Sequence, residues 1–281
     1  MEEIIKAIIY GVIQGTTEFL PISSTAHLRI FPALFGWEDI GAAYTAVIQI
    51  GTLFATLIYF REDIRNLVQG FLKATKTKNY ISDPYSRLFI VIIVGTIPIS
   101  IIGLLFKGFV EHNARGLIII AATLIVMAIV LWISELKGKK VKDFSQITFK
   151  DGFLIGCAQA LALIPGTSRS GITIAAGLFS GLKRDAAARY SFLLSIPAVA
   201  LSGLYELYKE RDHLLGSEKS SLIIATVVSG IVGYFTIKYL LKFLRTRSNL
   251  VFIIYRIIFG IIILILLYKG VVTNFTGLGG D

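Results

Sequence analysis

The sequence predicts an all-α, polytopic membrane helical bundle: two inverted-topology repeats, each a re-entrant helical hairpin plus three transmembrane helices. Three observations lead there. Hydrophobic residues make up 55% of the 281 and charged residues only 16%, with a mean hydropathy of +0.75, outside the usual range of soluble domains. Six apolar blocks, 43–60, 88–106, 117–134, 190–205, 221–237 and 250–268, approach the roughly 20 residues that a bilayer core requires. Two polar motifs, one in each half, interrupt this apolar chain and resemble each other. A transmembrane β-barrel would instead show alternating segments of about ten residues.

The elements follow in order. Met1-Glu-Glu-Ile-Ile-Lys6 lacks the basic start and small-residue cleavage site of a signal peptide, so this N-terminus is expected to be retained. The first motif, Gln14-Gly-Thr-Thr-Glu18-Phe-Leu-Pro21-Ile-Ser-Ser-Thr-Ala-His27, precedes the first span. The second, Gln159-Ala-Leu-Ala-Leu-Ile-Pro165-Gly-Thr-Ser-Arg169-Ser-Gly171, precedes the fourth. Gly11 and Gln14 fall 145 residues before Gly156 and Gln159, and Pro21 and Ser24 fall 144 before Pro165 and Ser168. Tyr44 and Tyr59 stand 146 before Tyr190 and Tyr205. The ordered set divides a single integral membrane domain, 1–281, into repeats at about 1–136 and 145–281. In a membrane chain this means two packed bundles with a site between them.

Loop charges orient the halves. Arg61, Arg65, Lys73, Lys76, Lys78 and Arg87 fill the 61–87 loop. Lys137, Lys139, Lys140, Lys142 and Lys150 fill 135–152, and Lys238, Lys242, Arg245 and Arg247 fill 238–249. The connections 107–116 and 209–220 are poorer in basic residues. With the three rich loops in the cytoplasm every crossing is satisfied and both termini lie outside. Three crossings per half force opposite orientations. The same distribution explains the net charge of +10, and no basic face interleaved with aromatics points to a nucleic-acid partner. Cys157, the single cysteine, excludes an internal disulfide and a multi-cysteine metal site; it reads as a packed small residue.

Ionisable groups inside apolar segments are costly and mark functional sites. Gln14 and Glu18 are four apart and share one helix face, while Gly11 and Gly15 leave room for a close neighbour. Pro21 and Pro165 break the helices. Non-helical backbone at this depth is tolerated only where protein buries it or it lines a wet cavity. After Pro21 a second helix can start at Ser23, Ser24 and Thr25. Ser24 and His27, three apart, are then within reach for an imidazole to take a hydroxyl proton; plain helix capping by the hydroxyls is the alternative. In the second motif Gly166, Thr167, Ser168 and Ser170 form a hydroxyl-rich turn at a helix N-terminus, which favours anions. Arg169 adds a planar fork for phosphate oxygens, or pairs with Glu18. His112, His213, Asp63, Asp83 and Asp143 lie in polar connections.

The wording Glu18-Phe-Leu-Pro-Ile-Ser-Ser-Thr and Pro165-Gly-Thr-Ser-Arg-Ser-Gly171, in this order and spacing, resembles the undecaprenyl-diphosphate phosphatase family, also called the bacitracin-resistance proteins. That resemblance runs the length of the chain. It implies a plasma-membrane enzyme that removes the terminal phosphate of a C55 polyprenyl diphosphate and so regenerates the lipid carrier for cell-wall synthesis. It further implies a divalent cation, Mg²⁺ or Ca²⁺, and an active site facing outside the cytoplasm. Position by position, the resemblance places the family's nucleophilic serine on Ser24, its histidine on His27, its paired acidic positions on Gln14 and Glu18, and its phosphate-binding arginine on Arg169. Gln14 stands where the family often has Glu, which thins a two-carboxylate metal site, and Ala26 where Gly is common. Attack by Ser24 and attack by metal-bound water both fit this sequence. An inverted-repeat transporter or flippase for a phosphorylated lipid is the competing class. A homodimer is compatible with the chain.

Overall fold

The computed structural model describes residues 1–105, 115–210 and 219–276; His112 and His213 lie outside them. Among the described residues there are eleven α-helices and no named strand. They are α1 (Glu2–Thr17), α2 (Ser24–Phe35), α3 (Gly41–Tyr59), α4 (Arg61–Thr77), α5 (Pro84–Leu105) and α6 (Leu117–Lys137) in the first half. The second half holds α7 (Phe149–Ala160), α8 (Arg169–Phe179), α9 (Arg184–Lys209), α10 (Lys219–Leu244) and α11 (Leu250–Tyr268). Six of them, α3, α5, α6, α9, α10 and α11, are long and apolar enough to cross a membrane, and each contains or overlaps one of the six apolar blocks. The chain is a multi-pass helical membrane protein.

The remaining helices are short for separate reasons. α1 stops at Thr17 and α2 begins at Ser24; the chain between them contains Pro21, which cannot donate to a helical ladder. α7 ends in a single 3₁₀ turn, Leu161–Leu163, ahead of Pro165, and α8 restarts at Arg169. α4 occupies part of the expected 61–87 loop. Ile64, Leu67, Val68, Phe71 and Leu72 recur there at helical spacing, but the charges between them make an amphipathic surface helix, not a span.

Opposite ends of the bundle gather different segments. At one end Glu135 pairs with Arg184 (2.7 Å) and accepts from Asn249, Lys142 pairs with Asp151 (3.0 Å), and Asp63 pairs with Arg189. The 61–87, 135–152 and 238–249 segments therefore share an end. Asp63 and Asp143, read from sequence as loop residues, are both ion-paired, Asp143 with Lys183 at 2.8 Å. At the other end Asp39 pairs with Arg115 (2.5 Å), and the Asn274 carboxamide caps α6 at Ile118 N. Lys6 sits 5.4 Å above the Trp37 ring, so the start of α1 and the end of α2 meet there. Val141 N and Lys142 N both donate to Gly181 O, so the start of α7 and the end of α8 meet at the basic end.

Packing crosses between the halves. α1 lies along α10, α7 along α5, α3 against α9 and α6 against α11. Small residues permit the closest approaches: a Cβ on Gly15 would stand 2.6 Å from Ser229 O, and one on Gly156 would stand 2.2 Å from Gly95 O. The Gly face of α7 also explains Cys157. Gly152, Ile155, Gly156 and Gln159 are the buried side, so Cys157 is turned outward and exposed, not packed.

Candidate active site

The two breaks meet inside the protein. Ser170 Oγ donates to Leu20 O at 3.1 Å, and Arg169 Nη2 donates to Glu18 Oε1 at 2.9 Å, across 151 residues of sequence. Glu18 is the centre of the cluster. Its other oxygen, Oε2, accepts from Gln14 Nε2 at 2.9 Å and from Ser24 Oγ at 2.9 Å. Glu18 and Gln14 are buried, while Ser24 and Arg169 are half-buried. A buried carboxyl group needs hydrogen-bond donors to replace water, and Glu18 has three.

Both turns are built alike. Ser23 (φ 74°, ψ 100°) and Ser168 (φ 68°, ψ 108°) hold positive-φ backbone dihedrals that are unusual for non-glycine residues. Each caps the helix it precedes: Ser23 Oγ accepts from Ala26 N at 3.3 Å and Ser168 Oγ from Gly171 N at 3.1 Å. The structural counterpart of Ser168 is thus Ser23, one residue earlier than the Ser24 match that the 144-residue spacing from Pro21 suggests. Gln14 and Gln159 share the 145-residue offset of the two caps, so the turns are equally long, and opposite Pro21 stands Gly166. Its φ of +91° and its approach to α6, where a Cβ would fall 2.6 Å from Ile120 O, leave no room for a side chain.

His27 is placed differently from expectation. Its Nδ1 lies 2.7 Å from Ser23 O, so that nitrogen carries the proton, and Nε2 at 2.6 Å accepts from the Tyr255 hydroxyl. The ring stacks on Phe259 with centroids 4.5 Å apart. Spacing of three on a helix brings Ser24 and His27 near each other, but the imidazole turns toward α11 and the hydroxyl toward Glu18. His27 therefore does not meet Ser24; Glu18 does.

A cavity of about 540 Å³ opens onto this cluster. Glu18, Ser23, Ser24, Thr25, Gly166, Ser168 and Arg169 line it, and so do Ile99, Leu104, Leu163, Val199 and Leu201. It joins a polar, charge-bearing floor to apolar walls. Gln14, His27, Thr167 and Ser170 stand behind that floor. Thr167 is fully buried and its hydroxyl has no hydrogen-bond partner.

Four groups that sequence reasoning did not single out support the site. Tyr255 and Phe259 fix His27, Arg256 donates to backbone oxygens of both turns, and Arg115 borders the cavity. Arg256 had a signal, because it is the one ionisable side chain within the apolar 250–268 block apart from Tyr255 and Tyr268. The aromatic pair had none, since such residues are ordinary in any span.

Residues 7–262 match the family described as bacitracin resistance protein BacA. The chain belongs to that family. A protein of Chloroherpeton thalassium named undecaprenyl-diphosphatase is 50% identical over 277 residues, covering 95% of this chain and 98% of the relative. Proteins of the same name from Prosthecochloris aestuarii and Myxococcus xanthus are 50% and 49% identical, over 94% and 98% of this chain and 97% and 92% of their own lengths.

Proposed function

We propose that this protein is a membrane phosphatase that hydrolyses undecaprenyl (polyprenyl) diphosphate to the monophosphate and inorganic phosphate, recycling a lipid carrier for cell-wall synthesis and conferring bacitracin resistance. Full-length relatives at about half identity carry the name undecaprenyl-diphosphatase. The observation that carries the chemistry is Glu18 held between Ser24 and Arg169 at 2.9 Å each. The apolar cavity walls suit the first prenyl units, and the polar floor suits the diphosphate.

The terminal phosphate enters beside Arg169 and the amides at the start of α8, and competes with Glu18 for the guanidinium. Ser24 Oγ attacks the terminal phosphorus while its proton passes to Glu18 Oε2. An O–P bond forms on Ser24, the bond from phosphorus to the bridging oxygen breaks, and the prenyl monophosphate leaves. Water then attacks the phosphoserine and releases inorganic phosphate. His27 acts in this scheme by holding the Ser23 carbonyl, and hence the turn, against α11.

Family resemblance implies a divalent cation. Among the described residues no three His, Cys, Asp or Glu side chains cluster, but Gln14 Oε1 is buried without a partner beside Glu18. Oxygen donors of this kind fit Mg²⁺ or Ca²⁺, so Gln14 and Glu18 would hold the ion. When bound it would neutralise diphosphate charge.

In the membrane, α1–α2 and α7–α8 are re-entrant hairpins of two inverted repeats, 1–136 and 145–281. The exchanged packing of α1 on α10 and α7 on α5, and the entry of α1 and α7 from opposite ends, support that arrangement. The basic end faces the cytoplasm, and the cavity, bordered by Arg115, opens to the outside.

The test is release of phosphate from the C55 diphosphate by detergent-purified protein. Turnover without a sealed membrane supports a phosphatase. Binding without turnover in detergent, with movement of the lipid in vesicles, would replace it with the transporter reading.

A further inference from the structure

Breaking a helix inside a membrane frees carbonyl oxygens that water cannot reach, and each must find a donor. Here both breaks are served by one side chain. Arg256, on α11, is fully buried. Its Nη1 donates to Pro21 O at 3.1 Å in the first turn. Its Nη2 donates to Gly166 O and Thr167 O, both at 3.0 Å, in the second. Nε donates to Leu124 O on α6 at 3.2 Å. Among the described residues no carboxylate pairs with it. An unpaired buried cation is expensive, and the planar fork is the only side chain whose donors point in enough fixed directions to satisfy carbonyls from three elements at once.

We propose that Arg256 is a positioning residue for phosphoryl transfer. It sets the register between the two turns, so that a carboxylate from one half meets a guanidinium from the other, and it touches no reacting atom. Glu18 lies three residues before Pro21, and Arg169 two residues after Thr167. A slip of one turn against the other by about 1 Å would stretch the 2.9 Å contact between them beyond hydrogen-bond reach. The inference rests on the two-turn site proposed above, and its test is read partly without substrate.

The experiment compares wild type with Arg256→Lys, which keeps the charge but cannot span both turns, in the purified full-length protein. Backbone hydrogen–deuterium exchange is followed in segments 18–24 and 163–169, alongside kcat and KM on the C55 diphosphate. The expected result is faster exchange in both segments together, and a kcat at least about tenfold lower with KM changed less than about threefold. Faster exchange confined to α11 or to one turn, or a wild-type kcat, overturns the proposal. Rates are referred to folded protein, since a general loss of stability would lower apparent kcat at unchanged KM, but it would also speed exchange in every segment and not in these two alone. Should Arg256→Lys not accumulate, Gly171→Val tests the same clamp with the cation retained. A Cβ at Gly171 stands 3.1 Å from Arg256 Nη1, so the larger side chain displaces the guanidinium. Exchange must then rise in 18–24, to which Gly171 does not belong; unchanged exchange there refutes the clamp. If wild type itself releases no phosphate, the enzymatic reading fails, while the exchange data still decide whether Arg256 couples the turns.

Discussion

Ser23 and Ser168 stand at the same place in two turns, yet the residues around them differ in every chemically relevant respect. Each serine has positive φ and caps the next helix. One residue later the first turn carries Ser24 and the second Arg169, and both side chains reach Glu18. Five residues before the caps the first turn has Glu18 and the second Leu163, which lines the cavity wall. Four residues after them come His27 and Ile172. A repeated backbone has been given opposite charges, so that the halves attract across the interface where the site forms. One carboxylate suffices for both.

The largest effect should follow loss of the shared partner. Glu18→Gln removes the base that takes the Ser24 proton and strands Arg169 without its counter-charge, so kcat should fall by about 10³-fold, within the range for losing a positioned acid–base group. Phosphate release per inserted protein measures it. Retention of a tenth of wild-type activity would show that Glu18 is structural.

Ser24→Ala should come next, with a loss of about 10²–10³-fold, lipid diphosphate binding retained, and no phosphoserine in an early acid quench. Trapping a phosphoserine at Ser24 in wild type sharpens the comparison by giving the two equivalent positions separate jobs, attack and clamping. Full activity in Ser24→Ala would hand the attack to water. Arg169→Lys should lower kcat about 10²-fold, because Lys cannot reproduce the bidentate fork. A near wild-type rate would mean that Arg169 serves only to pair Glu18.

Much of this was legible in the chain, for identifiable reasons. The six spans announce themselves because lipid demands long apolar runs. Glu18, Ser24 and Arg169 announce themselves because polar groups in such runs need a purpose. What the sequence hid depends on side-chain direction and on tertiary partners. Spacing puts His27 near Ser24 but does not say that Tyr255 and Phe259 will turn the ring away. Matching prolines put Ser24 opposite Ser168, whereas the turn geometry puts Ser23 there, at the 145-residue offset that the two glutamines share. Arg256 was visible as a charge in an apolar block, but only the fold shows that its donors end on both turns. Helix α4 was missed because a charged, amphipathic surface segment looks like a loop when the search is for spans.

The smallest effects separate the two hydroxyls of the first turn and close the comparison between the halves. Ser23 and Ser168 act on the backbone, so Ser23→Ala and Ser168→Ala should each remove one cap, worth about 1 kcal/mol. That corresponds to a fall of a few degrees in the thermal midpoint of the purified protein, with kcat kept within about threefold. Equal losses at both positions are expected, since the cap bonds are 3.3 and 3.1 Å and the dihedrals match. Glycine should be better tolerated than alanine at either site, because positive φ costs glycine nothing. A Ser23→Ala enzyme that keeps its thermal midpoint but loses activity as Ser24→Ala does would invert the assignment. Ser23 would then be the reacting hydroxyl, and the likeness of the two turns would be one of backbone shape without shared function.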